Sequence, residues 1–164
     1  KLQKLMLAEL IEEILANYTL TLTNKQIAIW RDFEVFGLAN ETIPGGTMLG
    51  DEEKLHTVID NLISNAIKYT PQSGNIRISI KLEGKFAVIE VHDSGAGVLA
   101  SDRASLFDPF YRGDGTHEGL VSGSGLGLSI AKEYVDAHGG EIVLLPSELG
   151  AHFRVRLPLE ISPV

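Results

Sequence analysis

Glycine is concentrated in two clusters of this 164-residue chain, and their spacing restricts what the chain can fold into. Eight of its 17 glycines lie between Gly95 and Gly127. The clusters are Asp93-Ser-Gly95-Ala-Gly97 and Gly123-Ser-Gly125-Leu126-Gly127-Leu128. Glycine lets backbone N–H groups approach anionic oxygens closely, and the second cluster leads into a helical pattern whose N-terminus favours an anion. Together they predict a polyphosphate pocket bordered by a long connection.

The composition is that of an acidic globular domain. The chain is 44% hydrophobic with a formal net charge of −8, which fits one domain with its own core. The acidic balance argues against nucleic-acid binding, because neutralising phosphates requires a surplus of lysine and arginine. No apolar run is long enough to span a bilayer, so we expect this segment to be soluble and to make no membrane contact. The absence of cysteine excludes disulfides and thiolate metal ligands.

Hydrophobic periodicity predicts three helices. Residues 5–17 carry apolar side chains at helical spacing, with no capping residue before them, as if the segment had been cut from a longer chain. A long helix follows over residues 52–69, with Asp51 as its N-cap and Pro71 ending it. A third helical pattern covers residues 128–138.

Alternating apolar and polar residues predict the strands. The candidate strands are residues 26–33, 47–50, 75–82, 86–93, 141–145 and 152–157. The short turn at Gly84-Lys85 makes an antiparallel hairpin of the third and fourth. We therefore expect an α/β fold, a two-layer sandwich in which helices cover one face of a mixed, mostly antiparallel sheet.

The long helix carries a polar stripe beside its apolar face. Asn61, Asn65 and Lys68 follow one another at helical spacing and should project toward one place. Amide oxygens suit Mg²⁺, which keeps few protein ligands, and Lys68 is then placed for a phosphate. Tyr69 offers an aromatic body at the rim of the pocket. The alternative is that the asparagines bond the local backbone and Lys68 is solvated, but the glycine clusters favour a site.

Asp93 ends a strand whose apolar residues share its side of the sheet, so its carboxylate is expected to point toward the core. A buried carboxylate needs a hydrogen-bond donor, and the exocyclic amine of adenine is one. Gly95 and Gly97 directly after it would leave room for the base. The alternative is a local Asx-turn at the strand exit.

The connection over residues 98–122 is longer than ordinary loops, and such loops often act as lids. Phe107 and Phe110 could anchor it to the body, although both could equally be core residues. Arg112 could swing toward a terminal phosphate, where its fork of donors suits the oxygens, or it could be a surface charge.

Four of these segments resemble, in order and spacing, the N, G1, F and G2 boxes of the sensor histidine kinases of two-component signalling. The matching segments are Asn61-Leu-Ile-Ser-Asn65-Ala-Ile-Lys68-Tyr69-Thr, Asp93-Ser-Gly95-Ala-Gly97, Phe107-Asp-Pro-Phe110-Tyr-Arg112 and Gly123-Ser-Gly125-Leu126-Gly127-Leu128-Ser-Ile. The resemblance implies the Bergerat ATP-binding fold over residues 1–164, shared more distantly with type II topoisomerases, mismatch-repair proteins and a class of chaperones. Ser94, Ala96 and Ala151 depart from the common pattern, and Ala151 lacks a hydroxyl that often lies near the base.

The resemblance also implies roles for individual residues. Asn65 would hold Mg²⁺, with Asn61 and Lys68 assisting at the metal and the phosphates. Tyr69 would stack on adenine, Asp93 would accept a hydrogen bond from its amine, and Arg112 would reach the γ-phosphate. We expect the catalytic groups to be Asn65, Lys68 and Arg112. The remaining residues of the expected ATP site are Gly95, Gly97, Phe107, Gly123, Gly125, Leu126, Gly127 and Leu128.

None of the five histidines fits the box in which this family is phosphorylated. The resemblance thus implies a catalytic domain that transfers the γ-phosphoryl of Mg-ATP to a histidine on a separate dimerisation domain, for relay to a response-regulator aspartate. It further implies a monomeric, cytoplasmic segment of a dimeric parent anchored in the cytoplasmic membrane. Two alternatives remain open: an ATP-gated clamp of the same superfamily, which usually carries a catalytic glutamate in the N box, and a non-catalytic interaction module.

Overall fold

A computed structural model describes residues 1–36, 43–44, 46–109 and 127–160, with residues 43–44 described by their backbone alone. Its elements are β1 (Gln3–Met6), α1 (Leu7–Ala16), α2 (Thr19–Lys25), β2 (Ala28–Phe33), β3 (Val35–Phe36), β4 (Ile43–Pro44), β5 (Thr47–Gly50), α3 (Glu52–Tyr69), β6 (Asn75–Glu83), β7 (Phe86–Asp93), a 3-10 helix (Ala100–Ser105), α4 (Gly127–Ala137), β8 (Glu141–Leu145) and β9 (His152–Pro158). Within these ranges, no helix is long and apolar enough to cross a bilayer.

The main sheet has five strands in the order β2-β6-β7-β9-β8. β2 pairs with β6 in parallel, and the other three pairings are antiparallel. Two small antiparallel pairs, β1 with β5 and β3 with β4, lie outside this sheet. The predicted mixed, mostly antiparallel sheet is confirmed.

The core lies between one face of this sheet and the helices. Alternate residues of the central strands point to this face and are buried: Ile76, Ile78 and Ile80 of β6, Ala87, Ile89 and Val91 of β7, and Phe153, Val155 and Leu157 of β9. α3 contributes the opposing apolar face and also contacts α1 and α4. Burying each large aliphatic side chain stabilises the fold by about 1.5–3 kcal/mol. The two layers are therefore held together chiefly by this apolar contact.

Both ends of α3 have defined caps. The Asp51 carboxylate accepts a hydrogen bond from the Lys54 N–H at 3.1 Å, which confirms the predicted N-cap. At the other end, the Thr70 hydroxyl donates to the Ala66 carbonyl at 2.6 Å. The Lys25 ammonium donates to the Ile67 carbonyl at 2.9 Å, a favourable place for a cation. The Thr70 and Lys25 contacts fix the C-terminal end of α3, which carries the predicted polar stripe.

The structure corrects the N-terminal predictions. The first helix begins at Leu7 instead of residue 5, because residues 3–6 pair with β5 as β1. The next strand begins at Ala28 instead of residue 26, because Gln26 has a φ of 53° and caps a helix, α2, that periodicity did not predict. None of the residues of α2 is buried, so the segment has no apolar stripe for a pattern to detect.

His138 joins the end of α4 to the start of α3. Its ring is 2% exposed and lies between the Asp51 N–H, 3.0 Å from Nε2, and the Tyr134 carbonyl, 2.8 Å from Nδ1. A carbonyl can only accept, so Nδ1 donates and Nε2 is the acceptor for the Asp51 N–H. One imidazole thus bonds partly buried backbone groups at the ends of two helices.

Replacing His138 with phenylalanine should destabilise the domain by about 1–3 kcal/mol, because two partly buried backbone groups lose a hydrogen-bond partner. Urea unfolding of the purified domain measures this change. His56→Phe, the same substitution at a half-buried position on α3, is the matched control. A stability loss no larger than that of the control would show that the two His138 hydrogen bonds do not contribute measurably to the free energy of unfolding.

Candidate functional site

A cleft opens between the C-terminal half of α3 and the adjoining ends of β7 and β9. It is lined by Asn65, Tyr69, Asp93, Gly97, Val98, Leu106, Leu128, Ala151 and Phe153. Its empty space amounts to about 340 Å³ when the open mouth is counted. The described lining is mostly apolar and includes a few polar groups.

Asp93 is the most constrained polar group of the cleft. Its side chain is buried, and Oδ1 accepts hydrogen bonds from the Gly95 N–H at 2.8 Å and the Ala151 N–H at 3.1 Å. Burial raises the pKa of the Asp93 carboxyl, while the two backbone donors act in the opposite direction. Across the described ranges, no group donates to the other oxygen, Oδ2. That oxygen is left for a donor that enters the cleft.

The two interpretations of Asp93 turn out to be compatible. The bond from the Gly95 N–H to Oδ1 is the local Asx-turn, and the carboxylate also lies in the cleft wall as predicted. One oxygen serves the turn, so the turn orients the carboxylate without using both of its oxygens.

The three residues of the helix stripe have different surroundings. Asn65 is 7% exposed and lines the cleft, and no hydrogen bond within the described ranges engages its amide. The Asn61 amide nitrogen donates to the Thr57 carbonyl at 2.9 Å, which is the local backbone bond that the alternative interpretation expected. The Oδ1 of Asn61 faces Gly127, the first residue of α4. Lys68 is exposed, with its ammonium 5.5 Å from the centre of the Tyr69 ring. Of the stripe, only Asn65 lines the cleft; Asn61 and Lys68 flank it.

The glycines of the first cluster allow close backbone contacts. A Cβ on Gly95 would lie 2.4 Å from the Tyr69 carbonyl oxygen, which is closer than side-chain carbons approach. Gly97 has a φ of +81°, and a Cβ there would lie 3.1 Å from the Gly150 carbonyl oxygen. The cluster therefore packs the cleft floor against the end of α3 and against Gly150.

The F and G2 segments are described only in part. Phe107 does not line the cleft; its ring packs edge-to-face on Phe153, with 6.2 Å between the ring centres, so it acts as a core residue here. Leu128 is buried and lines the cleft. The remaining predicted site residues, Arg112, Gly123, Gly125 and Leu126, lie outside the described residues, as does Phe110, the other expected anchor of the connection.

Four lining residues were not among the predicted site residues: Val98, Leu106, Ala151 and Phe153. Three are apolar wall residues, and periodicity assigns such residues to the core. The resemblance placed Ala151 near the base only as a position that lacks a hydroxyl, and its backbone N–H, which no side-chain pattern reveals, was not predicted. Gly150 is a further signal, because a glycine just before a strand often marks a close backbone approach.

Residues 50–161 match the family of histidine kinase-, DNA gyrase B- and HSP90-like ATPases. The chain belongs to this family. Similar curated proteins include the sensor histidine kinase WalK of Bacillus subtilis, 46% identical over 56% of the chain, and the sensor histidine kinase GlrK of Escherichia coli, 33% identical over 96% of it. The chain spans only 15% and 31% of those two proteins, so it corresponds to a minor part of each.

Solved structures show the same fold. The catalytic domain of histidine kinase ThkA, in a nucleotide-free form, is 24% identical with a TM-score of 0.79, and the alignment covers 99% of both chains. ThkA in complex with the response regulator protein TrrA is 23% identical with a TM-score of 0.74, covering 96% of this chain and 42% of that one. The resemblance to histidine kinases and the two-layer fold are thereby confirmed.

Gly150 should be the least replaceable glycine of the cleft. It has a φ of +72°, and a Cβ there would lie only 1.8 Å from the Asp93 carbonyl oxygen. Gly150→Ala should lower the free energy of unfolding by about 2 kcal/mol more than Gly84→Ala, because overpacking against the Asp93 backbone adds to the strain of the positive φ. Gly84 is the matched control, since its φ is +60° but a Cβ there meets nothing within 4 Å. Chemical unfolding of both variants measures the difference, and equal losses would remove the steric argument.

Proposed function

We propose that this chain is the catalytic domain of a sensor histidine kinase, which binds Mg-ATP and passes its γ-phosphoryl group to a histidine on another domain. The observation that carries the proposal is the Asp93 carboxylate, buried in a mostly apolar cleft with Oδ1 occupied and Oδ2 without a donor from the described residues. Membership of the ATPase family and the similarity to WalK and GlrK, both named as sensor histidine kinases, support it.

The cleft suits a purine. Its walls are apolar at Val98, Leu106 and Phe153, which favours a flat base over water. The exocyclic amine of adenine donates, so it complements Asp93 Oδ2, whereas a carbonyl at the same ring position would face a carboxylate and be repelled. Tyr69 lies on the same rim and offers an aromatic surface. The proposed base is therefore adenine.

The residues of α3 fit a magnesium ion carried in with the nucleotide. Asn65 presents a buried amide without a hydrogen-bond partner in the described ranges, and Asn61 directs its Oδ1 toward the start of α4. Those ranges contain no cluster of three or more carboxylates or histidines that could hold a metal on its own. Mg²⁺ characteristically takes few protein ligands together with phosphate oxygens. When bound, it would neutralise phosphate charge.

The domain's contribution to phosphoryl transfer is positioning. Asp93 holds the base, Asn65 orients the phosphate end, and Lys68 at the cleft edge supplies positive charge near it. Arg112, whose guanidinium suits phosphate oxygens, is proposed for the γ-phosphate. Fixing the donor in line with an incoming nucleophile lowers the barrier without any attacking group from this domain. The accepting histidine is supplied from outside.

The proposed partners are the domain and the protein that accept the phosphoryl group in turn. We propose that residues 1–164 form one catalytic domain, that a histidine-bearing dimerisation domain of the parent receives the phosphoryl group, and that a response regulator takes it onward. The ThkA complex with TrrA is a related pairing. The segment itself would be monomeric and would work in the cytoplasm, within a dimeric parent anchored in the cytoplasmic membrane.

The clamp alternative is less well supported. ATP-gated clamps of this superfamily usually carry a catalytic glutamate in the N box. The acidic residues near that position here are Glu53 and Asp60. The Asp60 carboxylate accepts a hydrogen bond from the Tyr18 hydroxyl at 2.6 Å and does not line the cleft. Glu53 lies in the first turn of α3 and is also absent from the lining. Neither is placed to activate water in the cleft.

Asp93→Asn should weaken ATP binding by about 1.5–3 kcal/mol, about ten- to a hundredfold, because a charge-assisted hydrogen bond to the base is lost. Isothermal titration calorimetry of wild type and variant measures the change. Asp136→Asn, a change of the same kind on the exposed side of α4, is the control. Unchanged affinity in Asp93→Asn would remove the proposed adenine contact.

When the chain is mixed with labelled Mg-ATP and the parent's histidine-bearing dimerisation domain, it should place acid-labile, base-stable label on that domain. Asn65→Ala should abolish most transfer and should also remove the magnesium dependence of ATP binding, compared with and without EDTA. Ser64→Ala, at the neighbouring position of α3, is the control. No label with wild type, under conditions where ATP binds, would contradict the kinase proposal.

A further inference from the structure

The loop between β8 and β9, residues 146–151, is held from both faces of the sheet by two consecutive residues of β7. Asp93 points to the inner face and lines the cleft. His92 points to the outer face, in register with His152 of β9. Since neighbouring residues of a strand project to opposite faces, one strand end contacts the same loop twice.

On the inner side, the loop and Asp93 bond each other reciprocally. The Asp93 N–H donates to the Ala151 carbonyl at 3.0 Å, and the Ala151 N–H donates to Asp93 Oδ1 at 3.1 Å. Gly150 crosses directly over the Asp93 carbonyl, in space that no side chain could share. Residues 150–151 therefore act together with the Gly95 N–H, 2.8 Å from Oδ1, to keep this carboxylate oxygen occupied and leave Oδ2 facing the cleft.

On the outer side, His92 holds the preceding part of the loop. Its Nε2 lies 2.9 Å from the Leu149 carbonyl oxygen and 2.9 Å from the Ser147 hydroxyl. The Ser147 hydroxyl itself donates to the Leu149 carbonyl at 2.6 Å. Because a carbonyl only accepts, Nε2 must carry a hydrogen and donate it. The Leu149 carbonyl thus receives two donors immediately before Gly150.

The His92 ring is itself held in place. It stacks on the His152 ring with 4.3 Å between centres and 3° between planes. His152 is in turn bonded to Glu90 through Nε2. The ring therefore has little freedom to turn away from the Leu149 carbonyl, so the backbone of the loop is held in place at Leu149.

We propose that His92 is a positioning residue for adenine specificity: its bond to Leu149 keeps the Ala151 N–H on Asp93 Oδ1, so that Oδ2 faces the base. The inference rests on the proposed function, since it specifies how the nucleotide cleft selects its base. Losing the His92 donor frees the Leu149 carbonyl and lets residues 149–151 shift, so that the Gly95 N–H alone holds Oδ1 and the carboxylate is oriented less firmly. The amine of adenine then meets a less fixed acceptor, while the rest of the nucleotide keeps its contacts.

The test compares two ligands and three variants by calorimetry. The ligands are ADP and purine riboside 5′-diphosphate, which lacks the exocyclic amine. His92→Phe keeps an aromatic ring but removes the donor, and His92→Gln restores an N–H donor. We expect His92→Phe to weaken ADP binding about fivefold and the amine-free ligand less than twofold, with His92→Gln close to wild type on both, as for the loss and return of one hydrogen bond. His56→Phe, the same substitution away from the cleft and the loop, should change neither.

The outcomes separate this inference from the proposed function. Equal weakening of both ligands, no weakening of either, or a failure of His92→Gln to restore ADP binding would overturn the positioning role. Should His92→Phe not fold, Ser147→Ala decides in its place, because it removes the second donor to Leu149: a loss confined to ADP supports the inference, and any other result overturns it. A wild-type chain that binds neither ligand would instead refute the proposed function, whereas one that prefers ADP but is indifferent to His92 refutes only this inference.

Discussion

The packing of α3 on the inner face of the five-stranded sheet is the interaction on which the candidate site depends. Leu62, Ile63 and Ile67 are almost completely buried in that contact, and each contributes about 1.5–3 kcal/mol of hydrophobic stabilisation. Asn65 and Tyr69 share the same helical turns, so the rotation of the helix that buries the leucine and isoleucines also sets where the polar side chains go. The site is thus built as a consequence of the core.

A second constraint comes from placing a carboxylate inside this apolar contact. Burial disfavours the charged form of Asp93, and backbone N–H groups from two different segments compensate it. Those groups can approach because Gly95 and Gly150 lack side chains where a Cβ would collide with the backbone. The same arrangement leaves one carboxylate oxygen for a ligand, so the way the charge is accommodated and the proposed base selectivity have one structural origin.

Much of the fold was predictable, and the misses share a cause. α3, β6, β7 and β9 have strong periodicity, and their predicted bounds agree with the structure to within one or two residues. By contrast, α2 has no buried residue and β1 exists only because it pairs with β5, more than forty residues away. In the site, Asn65, Tyr69, Asp93, Gly97 and Leu128 were predicted and do line the cleft. The backbone N–H of Ala151 was not predicted because side-chain patterns do not reveal it, and Leu106 was missed because an apolar residue has the same pattern in a core and in a pocket wall.

The sequence by itself determined the two-layer fold, the family and the residue types that the cleft would use, because periodicity and ordered motifs are local properties of the chain. Only the tertiary structure decided which of these residues meet. It placed Phe107 on Phe153 and brought the loop before β9 against Asp93. The physical reason is that contacts between residues more than forty positions apart are chosen by strand register and by how closely backbones can pack, and neither is encoded in any short stretch of sequence.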